Sequence, residues 1–242
     1  TYFAADIGYV TEKFDRGFDK LIYIWGADHH GTIARLHNAA AAMGYDPGLV
    51  EILLVAWVRF VRDGEEVSMS KRAGEFITLD ELLAEVGVDA ARWSFAARTA
   101  SSPIDFDIEL ARRQSADNPV YYVQYAHARI CSILRKAADV GLAPASSLSA
   151  SLGGDPVAQR LAREVLRLPE VVEDAAAAEA THGITAYATE LATVFHGYYR
   201  DRRVIDAAEP TTSAGRLALV DAARLALRNT LGLLGISTPE QM

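Results

Sequence analysis

A chain of 242 residues, half of them hydrophobic and 23% charged, has room for one large domain or two smaller ones, and its apolar content excludes global disorder. A net charge of −8 speaks against a general nucleic-acid coat but leaves local basic patches open. The lone Cys131 excludes an internal disulfide and agrees with a reducing compartment, and no apolar run reaches the roughly 18 residues that would span a bilayer.

In chain order, the N-terminal TYFAADIGY lacks a basic leader and a starting Met, carries Asp6 early, and reads as mid-domain sequence, a hint of truncation. Phe3, Ile7, Val10 and Phe14 recur at helical spacing. KLIYIWG reads as a buried strand closing on Gly26, followed by a helix that Asp28 could cap and Gly44 ends. VEILLVAWVRF reads as a second buried strand, with a hairpin turn at Arg62–Gly64 and EEVSMS as its return. Thr78 and Glu81 form a capping box, and Asp89 is placed to cap AARWSFAAR. Strand–helix–strand order of this kind predicts a parallel α/β sheet. After about residue 106 the periodicity is helical throughout: a long helix from Asn118 and Pro119, a Gly/Ser/Pro-rich loop over 141–156, then helices near 156–180, 184–203 and 213–234.

Two short stretches carry candidate chemistry. GADHHG, Gly26 to Gly31, stands where a strand meets a helix, the place where open α/β sheets bind ligands. Gly26 allows close backbone approach, Asp28 could accept two ribose hydroxyls, and His29 and His30 could reach an anion. Taken alone, a capped helix with two solvated histidines is the plainer reading. A zinc site from His29, His30 and His37 lacks a fourth ligand and a thiolate pair, so no metal site is assigned. The second stretch, VSMSKRAGEF, sets Lys71 and Arg72 among Ser68, Ser70 and Gly74. A cation in such a loop suits the growing charge on transferring phosphates. An exposed, solvated hairpin end is again the plainer reading of the loop in isolation.

GADHHG followed by MSKRAG resembles the ribose contact and KMSKS signature of class I aminoacyl-tRNA synthetases. TYFAADIGY, RGFDKLIYIWGADHHGTIARL, NPVYYVQYAHARICSIL and LLGISTPEQM are similar to arginyl-tRNA synthetases in particular, in the order that family has them. The resemblance implies an α/β plus all-α fold: the C-terminal half of a Rossmann-like catalytic domain at 1–106, then a helical-bundle, DALR-type anticodon-binding domain at 107–242. It implies an arginine–tRNA ligase that uses ATP with Mg2+, L-arginine and tRNA(Arg), cytoplasmic, without membrane attachment, and monomeric as a full enzyme. Tyr2, Asp6 and His30 match arginine-binding positions. Gly26, Asp28, His29, Met69, Ser70 and Lys71 match ATP-binding positions, and Lys71 with Arg72 the catalytic cations. The signature departs from the family's at two places: Ser68 replaces its first lysine and Arg72 its last serine, which predicts weaker nucleotide binding.

For RNA, aromatics beside arginines are the candidates, because rings stack on unpaired bases while guanidinium groups take phosphate. Tyr121, Tyr122, Tyr125, His127 and Arg129 form one cluster, and Phe195 to Val204 another. Tyr125, Arg129, Tyr199 and Arg203 are the chosen tRNA-binding residues, and the resemblance adds Met242, which matches the family's terminal methionine; at helical spacing most of the other aromatics belong to the core. DAAR, Asp89 to Arg92, resembles a DALR stretch and is expected to buttress the loop before it. The family's HIGH signature is absent, as are its first strands and N-terminal tRNA-contacting domain. The chain alone is therefore expected to be inactive, with KLIYIWG exposed as an edge strand unless a missing N-terminal half covers it. The alternative is a non-catalytic tRNA-binding module from a truncated synthetase.

Overall fold

The computed structural model describes residues 2–67, 77–146 and 150–242, without the side chains of Tyr2, Ala150 and Ser151. Two compact units emerge, one of residues 1–59 and 99–105, the other of residues 60–98 and 106–242.

The first unit opens with α1 (Tyr2–Asp15), followed by β1 (Leu21–Gly26), a 3-10 turn at Ala27–Thr32, α2 (Ile33–Ala42) and β2 (Val50–Val55). The strands run parallel in register from Leu21↔Val50 to Gly26↔Val55, the crossover that the strand–helix–strand pattern predicts. Val10, Leu21, Tyr23, Leu36, Ala40 and Val50 make the core, with Phe14, Trp25, Tyr45 and Ile52 against it. The stacking of Phe14 on Tyr45, ring centroids 4.5 Å apart, closes one side.

β1 is not the doubly buried strand expected. Leu21 and Tyr23 are buried, while Ile22 and Ile24 are 46% and 69% exposed. Helices cover only one face, and β2 is its only strand neighbour among the described residues.

VEILLVAWVRF also departs from expectation, because it is two strands. β3 (Val58–Arg62) starts after a break at Ala56 and Trp57. There the Ala56 N–H donates to Ala100 O at 2.8 Å and the Trp57 carbonyl accepts from the Ile104 N–H at 3.1 Å, so the backbone changes partners. The new neighbour is β5 (Ile104–Asp107), a strand the sequence pattern hides. β4 (Glu65–Glu66) returns antiparallel through a turn in which Asp63 and Gly64 take φ values of 53° and 82°, as a two-residue hairpin requires. The remainder of the expected return strand lies outside the described residues.

In the second unit, α3 (Leu79–Val86) begins at the Thr78–Glu81 capping box, with both reciprocal hydrogen bonds formed. α4 (Val88–Ala96) and α5 (Ile108–Arg112) follow. Asp89 does not cap α4: Gly87 holds that position, and the Asp89 carboxylate is taken up elsewhere. Five longer helices build the bundle: α6 (Pro119–Asp139), α8 (Pro156–Leu166), α9 (Leu168–Ala177), α10 (His182–Asp201) and α11 (Pro210–Leu233), with the single turn α7 (Ala150–Gly153) before α8. The helix expected over 156–180 splits at Arg167 because Pro169 removes a donor and its ring crowds the preceding turn. Asn118 sits at the N-cap of α6 without capping it; its amide donates to the carbonyls of Ala111 and Arg113, both at 2.9 Å. Val123 and Ile130 of α6, Leu161 of α8, Leu191, Phe195 and Tyr198 of α10, and Leu217, Leu227 and Leu231 of α11 are fully buried at the bundle's centre. Among the described residues no helix is long and apolar enough to cross a membrane.

Candidate functional site

In the first unit the structure places Gly26 at the end of β1 and Asp28, His29 and His30 on the 3-10 turn that follows, all exposed. The expected cap by Asp28 is absent: the turn starts at Gly26 with no side-chain cap bond. Instead the carboxylate folds back over the glycine. A Cβ on Gly26 would lie 2.6 Å from Asp28 Oδ1, so this approach needs a residue without one. Asp28 Oδ2 is 3.8 Å from His29 Nε2, too long for a hydrogen bond, and among the described residues no group donates a hydrogen bond to the carboxylate. His37 stands apart: its Nε2 meets the Val50 carbonyl at 2.8 Å, so it is a structural histidine of α2. Among the described residues no three His, Cys, Asp or Glu side chains gather as metal ligands.

Asp6 is exposed on α1, one turn after Tyr2. It acts electrostatically on the buried Tyr23 phenol, whose pKa is raised first by burial, then by Tyr9 and Asp6. Lys13 Nζ lies 4.1 Å from the Tyr9 ring centre and 3.9 Å from that of Tyr23, and burial lowers its pKa. This face of α1 thus already holds a cation against aromatic rings. Met69, Ser70, Lys71 and Arg72 lie outside the described residues, as does the side chain of Tyr2.

The second unit contains a larger feature. Tyr125, Arg129, Tyr199, Arg203 and Met242, separate in sequence, line one cleft of about 720 Å³. Its walls are α6, the end of α10 with the segment to Ile205, and the final residues Glu240 to Met242. The Arg129 guanidinium carbon lies 5.2 Å from the Tyr125 ring centre and 4.8 Å from that of Tyr199, so the arginine bridges two aromatic faces. Tyr121 stacks on Tyr125 at 6.4 Å with the rings nearly parallel, extending the aromatic surface along α6.

The cleft is cationic in a chain that is acidic overall. Arg135, Lys136 and Arg202 join Arg129 and Arg203 in its lining, against the single carboxylate side chain of Glu240. Some of this charge is spoken for. Arg202 makes two bonds to Asp155, at 2.7 and 2.8 Å, while Asp155 also caps α8. The Arg202 guanidinium, against the opposing effect of burial and with help from the Val157 N–H, holds the Asp155 carboxyl below its usual range. Arg203 donates to Ile205 O at 3.1 Å and stands 3.7 Å from Asp206. No carboxylate among the described residues pairs with Arg129 or Lys136. Those two cations are the ones a phosphate could claim without breaking an ion pair.

The remaining aromatics of the two clusters are structural. Phe195 and Tyr198 are buried, and burial pushes the Tyr198 phenol up to about 12. Tyr122 turns its hydroxyl to Thr193 at 3.3 Å. His127, placed by sequence beside the RNA candidates, is only 2% exposed and faces away from the cleft lining, with Nδ1 3.0 Å from the Pro239 carbonyl. A carbonyl only accepts, so the proton is on Nδ1 and the buried Nε2 has no partner. Arg202 falls in the second cluster but was not among the chosen residues, and Arg135 and Lys136 were missed, although Tyr125, Arg129, Ser132 and Lys136 repeat at helical spacing along one stripe of α6 and could have been read from it.

The histidine makes the bundle sensitive to acid. Burial, above all, holds folded His127 below its ordinary 6.5, and His196 shifts the same way for the same leading reason. The unfolded chain therefore takes up these protons first as pH falls. Stability is at its full value above about pH 6.5 and declines below it until the folded histidines themselves titrate. Urea midpoints at about pH 7.5 and about pH 5.5 should show the decline, and His127→Gln should shrink it.

Comparison with known proteins gives this geometry a context. Residues 123–242 match the DALR anticodon binding domain. Across 244 residues the chain is 51% identical to an arginine–tRNA ligase of Moorella thermoacetica, covering all of this chain and 43% of that protein. It is 49% identical to one of Heliobacterium modesticaldum, covering 44% of it. The chain thus spans less than half the length of these curated relatives. Among solved structures, an arginyl-tRNA synthetase of Campylobacter jejuni superposes with a TM-score of 0.88 at 36% identity, over all of this chain and 52% of that one. The Thermus thermophilus arginyl-tRNA synthetase superposes with a TM-score of 0.71 at 26% identity, over 93% of this chain and 41% of that one.

Proposed function

We propose, for a chain that matches the C-terminal portion of arginyl-tRNA synthetases and carries their DALR anticodon-binding domain, that it serves arginine–tRNA ligation by holding the anticodon loop of tRNA(Arg) in the cleft between α6 and α10. The observation that carries this reading is Arg129 held between the faces of Tyr125 and Tyr199 without a carboxylate partner among the described residues. Unpaired bases stack on such rings, and the guanidinium and Lys136 take the intervening phosphates. Arg203 and Met242 border the same cleft.

The first unit contributes to activation of L-arginine by ATP as part of a Rossmann-like catalytic domain whose other half lies in the remainder of the enzyme. Asp28, over a glycine that gives it room, accepts the ribose hydroxyls of ATP, with His29 and His30 alongside. Asp6 with Tyr2 selects the arginine guanidinium by paired, charge-assisted bonds. Lys71 and Arg72 neutralise the leaving pyrophosphate, whose Mg2+ arrives with the nucleotide as substrate. The arginine carboxylate attacks the α-phosphorus, pyrophosphate leaves, and the arginyl group then passes to the terminal ribose of tRNA. This reading places the protein in the cytoplasm and the full enzyme as a monomer.

An anisotropy titration of the chain with a tRNA(Arg) anticodon hairpin, beside an arginine-dependent pyrophosphate exchange assay, tests both halves. Salt-sensitive hairpin binding is expected from the chain alone, and exchange only once the remaining half of a synthetase is supplied. No hairpin binding at low salt would end the anticodon reading. Exchange by the chain alone would overturn the division of labour.

A further inference from the structure

The last residues of the chain reach the cleft as a strap laid along α6. On one stripe of that helix Gln124, His127 and Arg135 each meet a main-chain carbonyl of the strap: Ser237 O at 3.0 Å, Pro239 O at 3.0 Å and Glu240 O at 3.2 Å. The neighbouring stripe, with Tyr125, Arg129 and Lys136, lines the cleft. One helix therefore both guides the strap and forms the wall against which its end comes to rest.

The strap is pinned at its root by α4. Asp89 Oδ1 accepts the Ser237 N–H at 3.1 Å, and Oδ2 accepts from the Ser237 hydroxyl and from Gln124 Nε2, the latter at 2.8 Å. One helical turn on, Arg92 Nε donates to Leu234 O at 2.7 Å. Gly235 makes this approach possible: its φ is +65°, and an added Cβ would lie 2.6 Å from Arg92 Nη2. The strap thus leaves α11 through a left-handed residue and enters a clamp formed by two charged side chains.

We infer that Asp89 and Arg92 are positioning residues for RNA binding: they touch no RNA, but fix the strap so that Glu240, Gln241 and Met242 complete the cleft. This rests on the anticodon reading above. The clamp matters because a free strap would have to be ordered each time RNA binds, and that entropy would be taken from the affinity. Charge-assisted bonds to Asp89 fix it beforehand.

Two substitutions break the clamp from opposite sides. Asp89→Ala removes the acceptor from α4, and Ser237→Pro removes the donor N–H and hydroxyl from the exposed strap, outside every helix. In the full chain labelled with 13C-methyl methionine, the Met242 methyl is expected to move to its random-coil position and sharpen in both variants. The anticodon hairpin should then bind about tenfold more weakly, or about 1.4 kcal/mol. With residues 237–242 deleted, Asp89→Ala should have no further effect on affinity, an outcome that general destabilisation of the bundle would not give. A Met242 methyl that keeps its shift in both variants overturns the clamp. Unchanged hairpin affinity with the methyl released overturns its role in RNA binding. If the unsubstituted chain binds no hairpin, the anticodon reading fails by itself, and this inference about RNA falls with it while the methyl signal still decides whether Asp89 holds the strap.

Discussion

Replacing Arg129 with alanine should weaken binding of a tRNA(Arg) anticodon hairpin by about ten- to a hundredfold and lower the slope of log affinity against log salt by about one unit. Two losses combine. The guanidinium is a cation with no carboxylate partner among the described residues, so a phosphate is the anion it can neutralise. It is also the spacer between Tyr125 and Tyr199, at 5.2 and 4.8 Å from their ring centres, and without it each ring loses one of the contacts that orient it, Tyr125 keeping Tyr121 and Tyr199 keeping Phe195. Stacking on an ordered ring contributes about 1–3 kcal/mol per base, so disorder there is felt directly. Arg129→Lys separates the two effects, because it restores the charge and thus the salt slope but not the planar contact, and should recover only part of the affinity. The fold should survive both changes, since among the described residues Arg129 caps no helix and holds no ion pair. Affinity and slope equal to those of the unsubstituted chain would remove Arg129 from the interface.

The second large effect concerns stability, one helical turn from a residue that should leave it nearly unchanged. Phe195 is fully buried and Tyr199 is 37% exposed, although their rings stack with centroids 6.1 Å apart on the same helix. Phe195→Ala leaves a cavity among the side chains of α6, α8, α10 and α11 and should cost about 3–5 kcal/mol in urea unfolding. Tyr199→Ala removes a ring from the cleft edge and should cost about 1 kcal/mol or less, while impairing hairpin binding. Equal losses of stability from the two would mean that α10 turns a different face to the core.

These contrasts show what the sequence could and could not express. The Thr78–Glu81 capping box, the Asp63–Gly64 turn and the start of α6 at Pro119 were legible because each depends on residues within a few positions of one another. So were the cleft residues Tyr125, Arg129, Tyr199 and Arg203, picked out by residue type, and Met242, picked out by resemblance, although only the fold brings them to one place. The catalytic roles proposed for Lys71 and Arg72 rest on the family pattern and on the chemistry of a cationic loop, since both lie outside the described residues. Asp89 marks the limit. As the second residue of α4 it looked like a cap, yet its oxygens bind Ser237, 148 positions later. The strap's other anchors are carbonyl oxygens, and a carbonyl carries no residue identity for a pattern to find. The exposure of β1 was hidden for a related reason: LIYIWG has the composition of an interior strand, and only the layers packed around it decide which side chains stay wet.

That strand has a practical consequence. With β2 along one side and Ile22 and Ile24 facing outward, its other side offers a row of amide and carbonyl groups at the spacing of a growing sheet. Two copies meeting there could zip together through their main chains, without any designed complementarity between side chains. Dilution should keep the chain monodisperse and crowding should drive it toward fibrous precipitate, so its solubility would be governed by the six residues of one strand more than by a net charge of −8.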